Sequence, residues 1–405
     1  MKKRLYSFLL VTFLTLLGIG SSTLHAQDQP QLSEDSKISL MTCGPGAESY
    51  SMFGHSALWV FDPVNRIDRI YNYGTFNFED PNFYFKFTRG IADYMLSLAN
   101  SASFVREYTI ENRTVEQQVL NLTQNEKQKL FEAVEENYKP ENRFYRYDFL
   151  FLNCSSIIRD RVFDVMDDSY VLDTTNYGQS FRDLLQPYIN NSWIKLGINL
   201  LLGVKADKQA SNWDRMFLPD HMRDQFSLTR SADISLAQPV TKIFLGTHPP
   251  VTYEKTNNID TPFIVFIILL VFTGFLTRKK FASSKWNKPL DSFIFLIAGA
   301  IGILLTFMWF FSEHEVIHQN LNVLWAFPLH ILIPIFIWIP SLSRIVTIYS
   351  KISFSAIALF MALAILGVQE IPTSLLVLSG IVMLRLFRYA FFTRIADKVK
   401  SEETN

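Results

Sequence analysis

The chain has 405 residues, and its 38 Lys and Arg residues balance 38 Asp and Glu residues, so the formal net charge is zero. Hydrophobic residues make up 49% and aromatic residues 15% of the chain, which excludes an intrinsically disordered protein. Zero net charge without a basic cluster argues against a nucleic-acid binder, so no nucleic-acid partner is expected. Two cysteines are too few for a disulfide framework or an all-cysteine zinc module.

The first 26 residues have the pattern of a secretory signal peptide. A basic start at residues 1–4 precedes an apolar run from Leu5 to Ile19, and Ala26 is a small residue before a polar stretch. We therefore predict a signal peptide over 1–26, with an uncleaved membrane anchor as the alternative. Either interpretation exports the following segment, 27–260, which is predicted to be a soluble domain.

Beyond residue 260 the composition changes to apolar stretches with few charges. Each stretch is near the ~20 residues that a helix needs to cross a bilayer, which predicts an all-α membrane domain over 261–405. The five predicted membrane helices cover about 261–277, 292–312, 321–343, 352–368 and 371–384. Lys and Arg are concentrated in the first and third connecting loops and in the C-terminal tail. The positive-inside rule therefore predicts a cytoplasmic C-terminus and places the soluble domain on the outer side, the periplasm of a diderm bacterium.

Two predicted elements of the soluble domain begin at residues that carry chemistry. His55 begins a strand, and Asn153 is the predicted N-cap of a helix that contains Cys154. The N–H dipoles of a helix start favour a thiolate there, and the same N–H groups are donors for an oxyanion. Cys154 with His55 as its base would form a nucleophilic pair. The structural alternative is a Cys43–Cys154 disulfide in a scaffold without enzymatic activity, and the residues alone leave both interpretations open.

Several segments of the chain are similar to one known family. They are 42–46, 50–58, 71–76, 87–90, 147–149, 153–156, 159–160, 203–207 and 217–219. The specific parts are Gly54-His55-Ser56-Ala57-Leu58 and Asn153-Cys154-Ser155-Ser156. In these segments, and in its order of signal peptide, exported domain and membrane helices, the chain resembles the Bacteroidota lipoprotein N-acyltransferases (Lnb).

The resemblance implies an α+β periplasmic domain related to circularly permuted NlpC/P60, papain-like folds, followed by an all-α five-helix membrane domain. In such folds the histidine precedes the cysteine, as His55 precedes Cys154 here. The family implies that Cys154 is the nucleophile and His55 the base. A third polar residue orients the histidine, and Asn72 on the neighbouring predicted strand is the candidate, with Tyr71 or Tyr73 as alternatives.

The activity implied by the resemblance is acyl transfer through a Cys154 thioester. The acyl donor is a membrane phospholipid, and the acceptor is the α-amine of the N-terminal diacylglyceryl-cysteine of a lipoprotein. Passage from thioester to amide is downhill, so no cofactor and no metal is expected. The implied location is the bacterial inner membrane, with the catalytic domain in the periplasm. A phospholipase or NlpC/P60-type hydrolase with the same Cys-His dyad is the alternative.

A competing motif lies after the second predicted membrane helix. His314-Glu315-Val316-Ile317-His318 matches the H-E-x-x-H pattern, in which two histidines on one helical face bind zinc and the glutamate is the base. A membrane zinc metalloprotease is therefore a further alternative. By the family resemblance, His314, Asn320 and Asn322 belong to a loop that contacts lipid headgroup or substrate amine. The structural alternative is a polar loop that caps two helices.

Overall fold

The computed structural model describes residues 30–48, 50–76, 81–167, 169–247, 260–278 and 284–392. The predicted signal peptide 1–26 and the C-terminal tail beyond residue 392 lie outside these described residues. The described part of the chain forms a β-sheet region followed by an apolar helical region.

The first region is built on one antiparallel sheet. Its strands are β1 (Lys37–Cys43), β2 (His55–Asp62), β3 (Ile67–Thr75), β4 (Asp93–Ala99), β5 (Val115–Val119) and β6 (Phe144–Arg146), while β7 (Arg230–Ser231) and β8 (Ile234–Ser235) form a separate ribbon and β9 (Thr241–Phe244) returns to the main sheet. The seven strands of the main sheet lie in the order β6-β4-β3-β2-β1-β5-β9. Six of the seven residues of β1 are buried, because helices cover both faces of the sheet at its centre.

The helices of this region are short. They are α1 (Phe83–Thr88), α2 (Ser101–Ile110), α3 (Gln124–Tyr138), α4 (Cys154–Val165), α5 (Phe181–Leu185), α6 (Ser192–Leu201), α7 (Asn212–Arg215) and α8 (Pro219–Leu228). Helices α3 and α4 pack on one face of the sheet, and α2 packs on the other. Helix α4 begins where the sequence predicts, because the Asn153 side chain accepts hydrogen bonds from the first-turn N–H groups. The fold is therefore α+β, as expected, while the relation to NlpC/P60 folds stays a prediction.

The second region contains α9 (Thr261–Thr277), α10 (Asn287–Phe311), α11 (Ile333–Phe336), α12 (Ser343–Ile365) and α13 (Thr373–Phe387). Among the described residues, 3 helices are long and apolar enough to cross a membrane: Asn287–Phe311, Pro340–Ile365 and Thr373–Phe392. The shorter apolar segments are Thr261–Thr277 and Leu321–Phe336. The count of five membrane-spanning helices stays a prediction.

The third predicted membrane helix, 321–343, is wrong as a continuous helix. The segment consists of 3₁₀ turns at Leu321–Leu324 and Pro328–Leu332, the four-residue α11, and a 3₁₀ turn at Pro340–Leu342. Pro328, Pro334 and Pro340 recur every six residues, and proline within a helix removes a hydrogen bond and clashes with the preceding turn. Irregular backbone at membrane depth needs protein around it. Glycines 299 and 302 of α10 provide this cover, since a Cβ there would overlap the backbone of the segment.

Helix α6 joins the two regions. It lies in the sequence of the first region, yet Leu196, Leu200 and Leu201 pack into the core of the second. Trp193 of α6 contacts Phe266 of α9, with ring centroids 6.0 Å apart. The sheet region is thus attached to the membrane helices by packed side chains as well as by the chain itself.

Candidate active site

His55, Asn72 and Cys154 come together at one end of the central strands. His55 is the first residue of β2, Asn72 lies on β3, and Cys154 is the first residue of α4. The His55 Nε2–H group donates to Asn72 Oδ1 over 2.5 Å. Since Nε2 is bonded to Asn72, Nδ1 is the ring nitrogen that remains for an interaction with the Cys154 thiol, whose pKa the imidazole lowers. The arrangement is a cysteine–histidine–asparagine chain.

The pKa shifts of Cys154 and His55 favour the charged forms of both side chains. Burial by itself raises the pKa of the Cys154 thiol, but the charge and hydrogen bond of His55, with bonds from the Ser56 backbone and the Ser155 hydroxyl, outweigh it and lower the pKa below the usual value of 9.0. Burial by itself lowers the pKa of His55, but Cys154 and Asn72 outweigh it and raise the pKa above 6.5. A thiolate beside an imidazolium is the form that these shifts stabilise.

Asn153 fixes the start of the helix that carries Cys154. Its Oδ1 accepts the Ser155 and Ser156 N–H groups, both over 2.9 Å, and its Nδ2 donates to the Phe217 carbonyl over 2.9 Å. The cap therefore uses two of the first three amides of α4. Because the Ser155 and Ser156 N–H groups are occupied, the N–H group of Cys154 is the donor in this first turn that could bind an oxyanion.

A buried serine pair joins the helix of Cys154 to the strand of His55. The hydroxyls of Ser56 and Ser155 are 2.9 Å apart, and both side chains are fully buried. Each serine directly follows one member of the Cys154–His55 pair in sequence. Sequence reasoning missed this contact. The signal was visible, since Ser56 follows His55 and Ser155 follows Cys154.

The remaining alternatives for this site do not fit the geometry. Both cysteines are free, so the alternative of a Cys43–Cys154 disulfide is wrong. Cys43 is buried opposite His55 in the β1–β2 pair, and burial raises its pKa. Tyr71 and Tyr73 point away from Asn72, to the face of the sheet that α3 covers, where their hydroxyls bond Glu135 and Asn137.

The loop residues expected to contact substrate are instead engaged inside the protein. Asn320 donates to the Leu200 and Leu201 carbonyls over 2.8 and 3.0 Å and so caps the C-terminal end of α6. Asn322 is buried and accepts the Trp325 indole N–H. His314 is also buried, and its Nε2–H donates to the Phe87 carbonyl over 2.9 Å. These contacts favour the interpretation of a polar loop that caps helices, and a role in substrate binding stays a prediction.

The H-E-x-x-H string lacks the helical geometry on which the zinc interpretation depends. Helix α10 ends at Phe311, and only a 3₁₀ turn follows at Glu315–Ile317. His318 Nε2–H donates to the Ser312 carbonyl, while Glu315 pairs with Lys205 over 2.9 Å. Within the described ranges, no group of three or more His, Cys, Asp or Glu residues is placed to hold a metal ion. The expectation that both histidines share one helical face is wrong.

The fold and site define a membrane protein whose sheet domain carries a cysteine–histidine pair. A family model described as the Lnb N-terminal periplasmic domain matches residues 27–185, and one described as the Lnb transmembrane domain matches residues 254–396. The chain belongs to the Lnb family. It is thus a membrane protein of lipoprotein processing with a periplasmic N-terminal part. No curated protein and no solved structure matches the chain significantly.

Proposed function

We propose that the protein is a lipoprotein N-acyltransferase that works through a Cys154 thioester. The observation that carries the proposal is the His55 ring held between Asn72 and the Cys154 thiol, in a domain packed onto membrane helices. A nucleophile whose pKa is lowered by a neighbouring imidazolium is suited to attack an ester carbonyl. Family membership supports lipoproteins as the acceptors.

The first half-reaction transfers the acyl group to the enzyme. The Cys154 thiolate attacks the ester carbonyl carbon of a phospholipid, and the Cys154 N–H group stabilises the oxyanion. The carbon–oxygen bond breaks, and the His55 imidazolium gives its Nδ1 proton to the departing alkoxide. The products are an S-acyl Cys154, a neutral His55 and a lysophospholipid.

The second half-reaction restores the enzyme. The α-amine of the diacylglyceryl-cysteine attacks the thioester carbonyl, and His55 takes the proton that the amine loses. The carbon–sulfur bond breaks, which forms the amide and regenerates the thiolate–imidazolium pair. Asn72 keeps the ring oriented through both steps because it holds Nε2 and leaves Nδ1 directed at the sulfur.

The membrane topology is part of the same proposal. Lys285 and Lys288 lie before and at the start of α10, and Arg344 lies at the start of α12. The positive-inside rule places these ends in the cytoplasm, with the C-terminus. A C-terminal green fluorescent protein fusion should be fluorescent, whereas a dark fusion with an active periplasmic reporter at the same position would reverse the orientation.

The two cysteines provide a matched test of the mechanism. Wild type, Cys154→Ala and Cys43→Ala are expressed at full length in a strain without lipoprotein N-acylation, and the N-terminal peptide of a reporter lipoprotein is examined by mass spectrometry. Cys154→Ala should lose at least about a thousandfold in rate, as loss of a covalent nucleophile does, while Cys43→Ala retains acylation. Full acylation by Cys154→Ala would disprove the thioester route. Phospholipid cleavage by wild type with an unmodified reporter would show a phospholipase instead.

A further inference from the structure

Helix α1 belongs to the sheet domain but lies beside the end of a membrane helix. The Phe85 ring of α1 contacts Phe307 of α10, with centroids 6.2 Å apart. The Ser312 hydroxyl and the Glu313 N–H group, which directly follow α10, donate to the Thr88 and Arg89 carbonyls, each over 2.8 Å. Helix α1 is thus held at the level where α10 leaves the apolar part of the bilayer.

Four phenylalanines at this level present their rings to the surroundings. Phe85 and Phe87 of α1 are 56% and 42% exposed, and Phe310 and Phe311 of α10 are 70% and 61% exposed. We call these four residues the aromatic patch. The patch is continuous, since Phe307 stacks on Phe311 at 5.4 Å while also contacting Phe85. Because α10 is long and apolar enough to span a membrane, lipid is the surrounding that matches this patch.

An arginine marks the depth of the patch. The Arg89 guanidinium lies 5.9 Å from the centre of the Phe85 ring, and its Nε–H donates to the Phe311 carbonyl over 3.4 Å. Arginine at the end of a membrane helix keeps its charge among the headgroups while its stem covers apolar surface. The patch therefore lies at the boundary between headgroups and acyl chains of the outer leaflet.

A row of aromatic rings connects the patch to the candidate active site. Successive centroids are 6.1, 5.0, 5.0 and 4.3 Å apart along Phe87, Phe83, Phe76, Tyr94 and Tyr147. The row passes close to the proposed nucleophile, since Phe76 lies two residues after Gly74, where a Cβ would be 3.6 Å from Cys154 Cβ. These contacts form one aromatic wall that runs from the aromatic patch to the end of the sheet where Cys154 lies.

We propose that the aromatic patch and this row bind one acyl chain of a membrane phospholipid, so that its ester reaches Cys154 while the chain extends back to the bilayer. The inference rests on the proposed function and adds the location of the donor chain. The wall suits an acyl chain because it is apolar, and its outer end is in contact with the leaflet from which the donor comes. It also holds the acyl chain of the thioester in place while the acceptor amine attacks.

Charged substitutions in the patch test the route on the full-length enzyme. The rate of Cys154 acylation is measured by mass spectrometry with a long-chain phospholipid in vesicles and with p-nitrophenyl butyrate, a water-soluble ester. The double variant Phe85→Glu/Phe87→Glu should lower the phospholipid rate relative to the butyrate rate at least about tenfold. The substitutions remove apolar area and add charge at the bilayer boundary. Ile110→Glu is the matched control, since Ile110 is 75% exposed on α2 and belongs neither to the aromatic patch nor to the aromatic row. An unchanged ratio in the double variant, or an equal fall in the control, would overturn the proposal.

A second experiment does not depend on the thioester chemistry. Full-length Cys154→Ala in vesicles is photolysed with a phospholipid that carries a diazirine at the end of one acyl chain, and the labelled peptides are identified. Labelling of the peptides that carry Phe76, Phe83 and Phe87 is expected. Labelling confined to the lipid-facing sides of α10, α12 and α13 would exclude the path. If wild type forms no thioester with either donor, the acyltransferase mechanism fails, while the crosslinks still decide where the chain binds.

Discussion

His314 Nδ1 lies 3.8 Å from Asp148 Oδ2, and this contact joins the loop after α10 to the loop that leads to Cys154. Asp148 Oδ1 in turn accepts the Leu150 and Phe151 N–H groups, both over 2.9 Å. The backbone of Asp148 also exchanges two hydrogen bonds with Leu152. The loop from 148 to 152 is therefore closed on itself and held by His314, immediately before the Asn153 cap of the helix that carries Cys154.

Loss of the His314–Asp148 pair should change how the Tm of the protein depends on pH. Burial lowers the pKa of His314, but Asp148 and the Phe87 carbonyl outweigh it and raise the pKa above 6.5. A raised histidine pKa contributes stability that is full below about 6.5 and is lost as pH rises through the folded value. The pKa of Asp148 is lowered below 3.8, so its contribution is present above that pH and is lost only in acid. The Tm of wild type should therefore decline as the pH rises above about 6.5 and through the folded pKa of His314, and His314→Gln should lack this decline.

The control for this substitution is a histidine in the same loop. His318 donates to the Ser312 carbonyl, so His318→Gln removes an imidazole without touching Asp148. Tm is measured on the full-length protein in one detergent across the pH series. Retention of the wild-type decline by His314→Gln would show that the pair does not couple to stability.

Removal of the Asn72 side chain should move one limb of the pH–rate profile. Asn72 accepts from His55 Nε2 and helps to raise the pKa of His55, so Asn72→Ala lowers it. The imidazolium is then lost at lower pH, and the alkaline limb of the acylation rate shifts to lower pH, with a rate loss of about tenfold to a hundredfold. Asn72→Asp should shift that limb to higher pH. Asn137→Ala, which removes the partner of Tyr73 behind the same strand, should leave the profile in place.

An alanine at Gly74 would introduce both backbone strain and a new methyl group beside Cys154 and His55. Its φ of 92° is one that L side chains rarely adopt, and a Cβ there would lie 3.6 Å from Cys154 Cβ and 3.7 Å from His55 Cε1. These are ordinary contacts, so Gly74→Ala should destabilise by about 1–3 kcal/mol through strain. Gly178 has a φ of 64° with nothing within 4 Å of its Cβ position, so Gly178→Ala is the matched control.

Both glycine variants should lower Tm, and they should differ at the thiol. The alkylation rate of Cys154 by iodoacetamide should change in Gly74→Ala, where the new methyl contacts both Cys154 and His55, and not in Gly178→Ala. Equal alkylation rates in both variants and wild type would show that the site tolerates the methyl group.

Features that depend on neighbouring residues could be predicted from the sequence, whereas contacts between distant segments could not. The Asn153 cap could be predicted because cap and helix lie within four residues. Asn72 was one of three candidates, because only the pairing of β3 with β2 decides which side chain faces His55. The amphipathic α6 has 10 residues, too few for a membrane prediction, and its role appears only where it packs on α9 and α13.

The broken segment after α10 shows a different limit. Mean hydropathy over 321–343 resembles that of a membrane helix, whereas its three prolines disfavour a continuous regular helix. The prolines were visible in the sequence, but the alternative backbone path could not be predicted without the glycine face of α10. Hydropathy indicates whether a segment lies in an apolar environment, whereas the positions of its prolines limit which backbone conformation it adopts.

Gly302 of α10 should be essential for the membrane region. A Cβ at this position would overlap the Ala326 carbonyl oxygen, so the broken segment must move away. Overpacking of this kind against rigid backbone costs about 1–3 kcal/mol or more, and displacement would also disturb the buried Trp325 and its bond to Asn322. Gly302→Ala should therefore lower Tm of the full-length protein in detergent. Gly380→Ala is the matched control on α13, because its Cβ would make an ordinary contact of 3.8 Å with Met361 Cε. An equal Tm in the two variants would show that the close approach of α10 to Ala326 does not support the irregular segment.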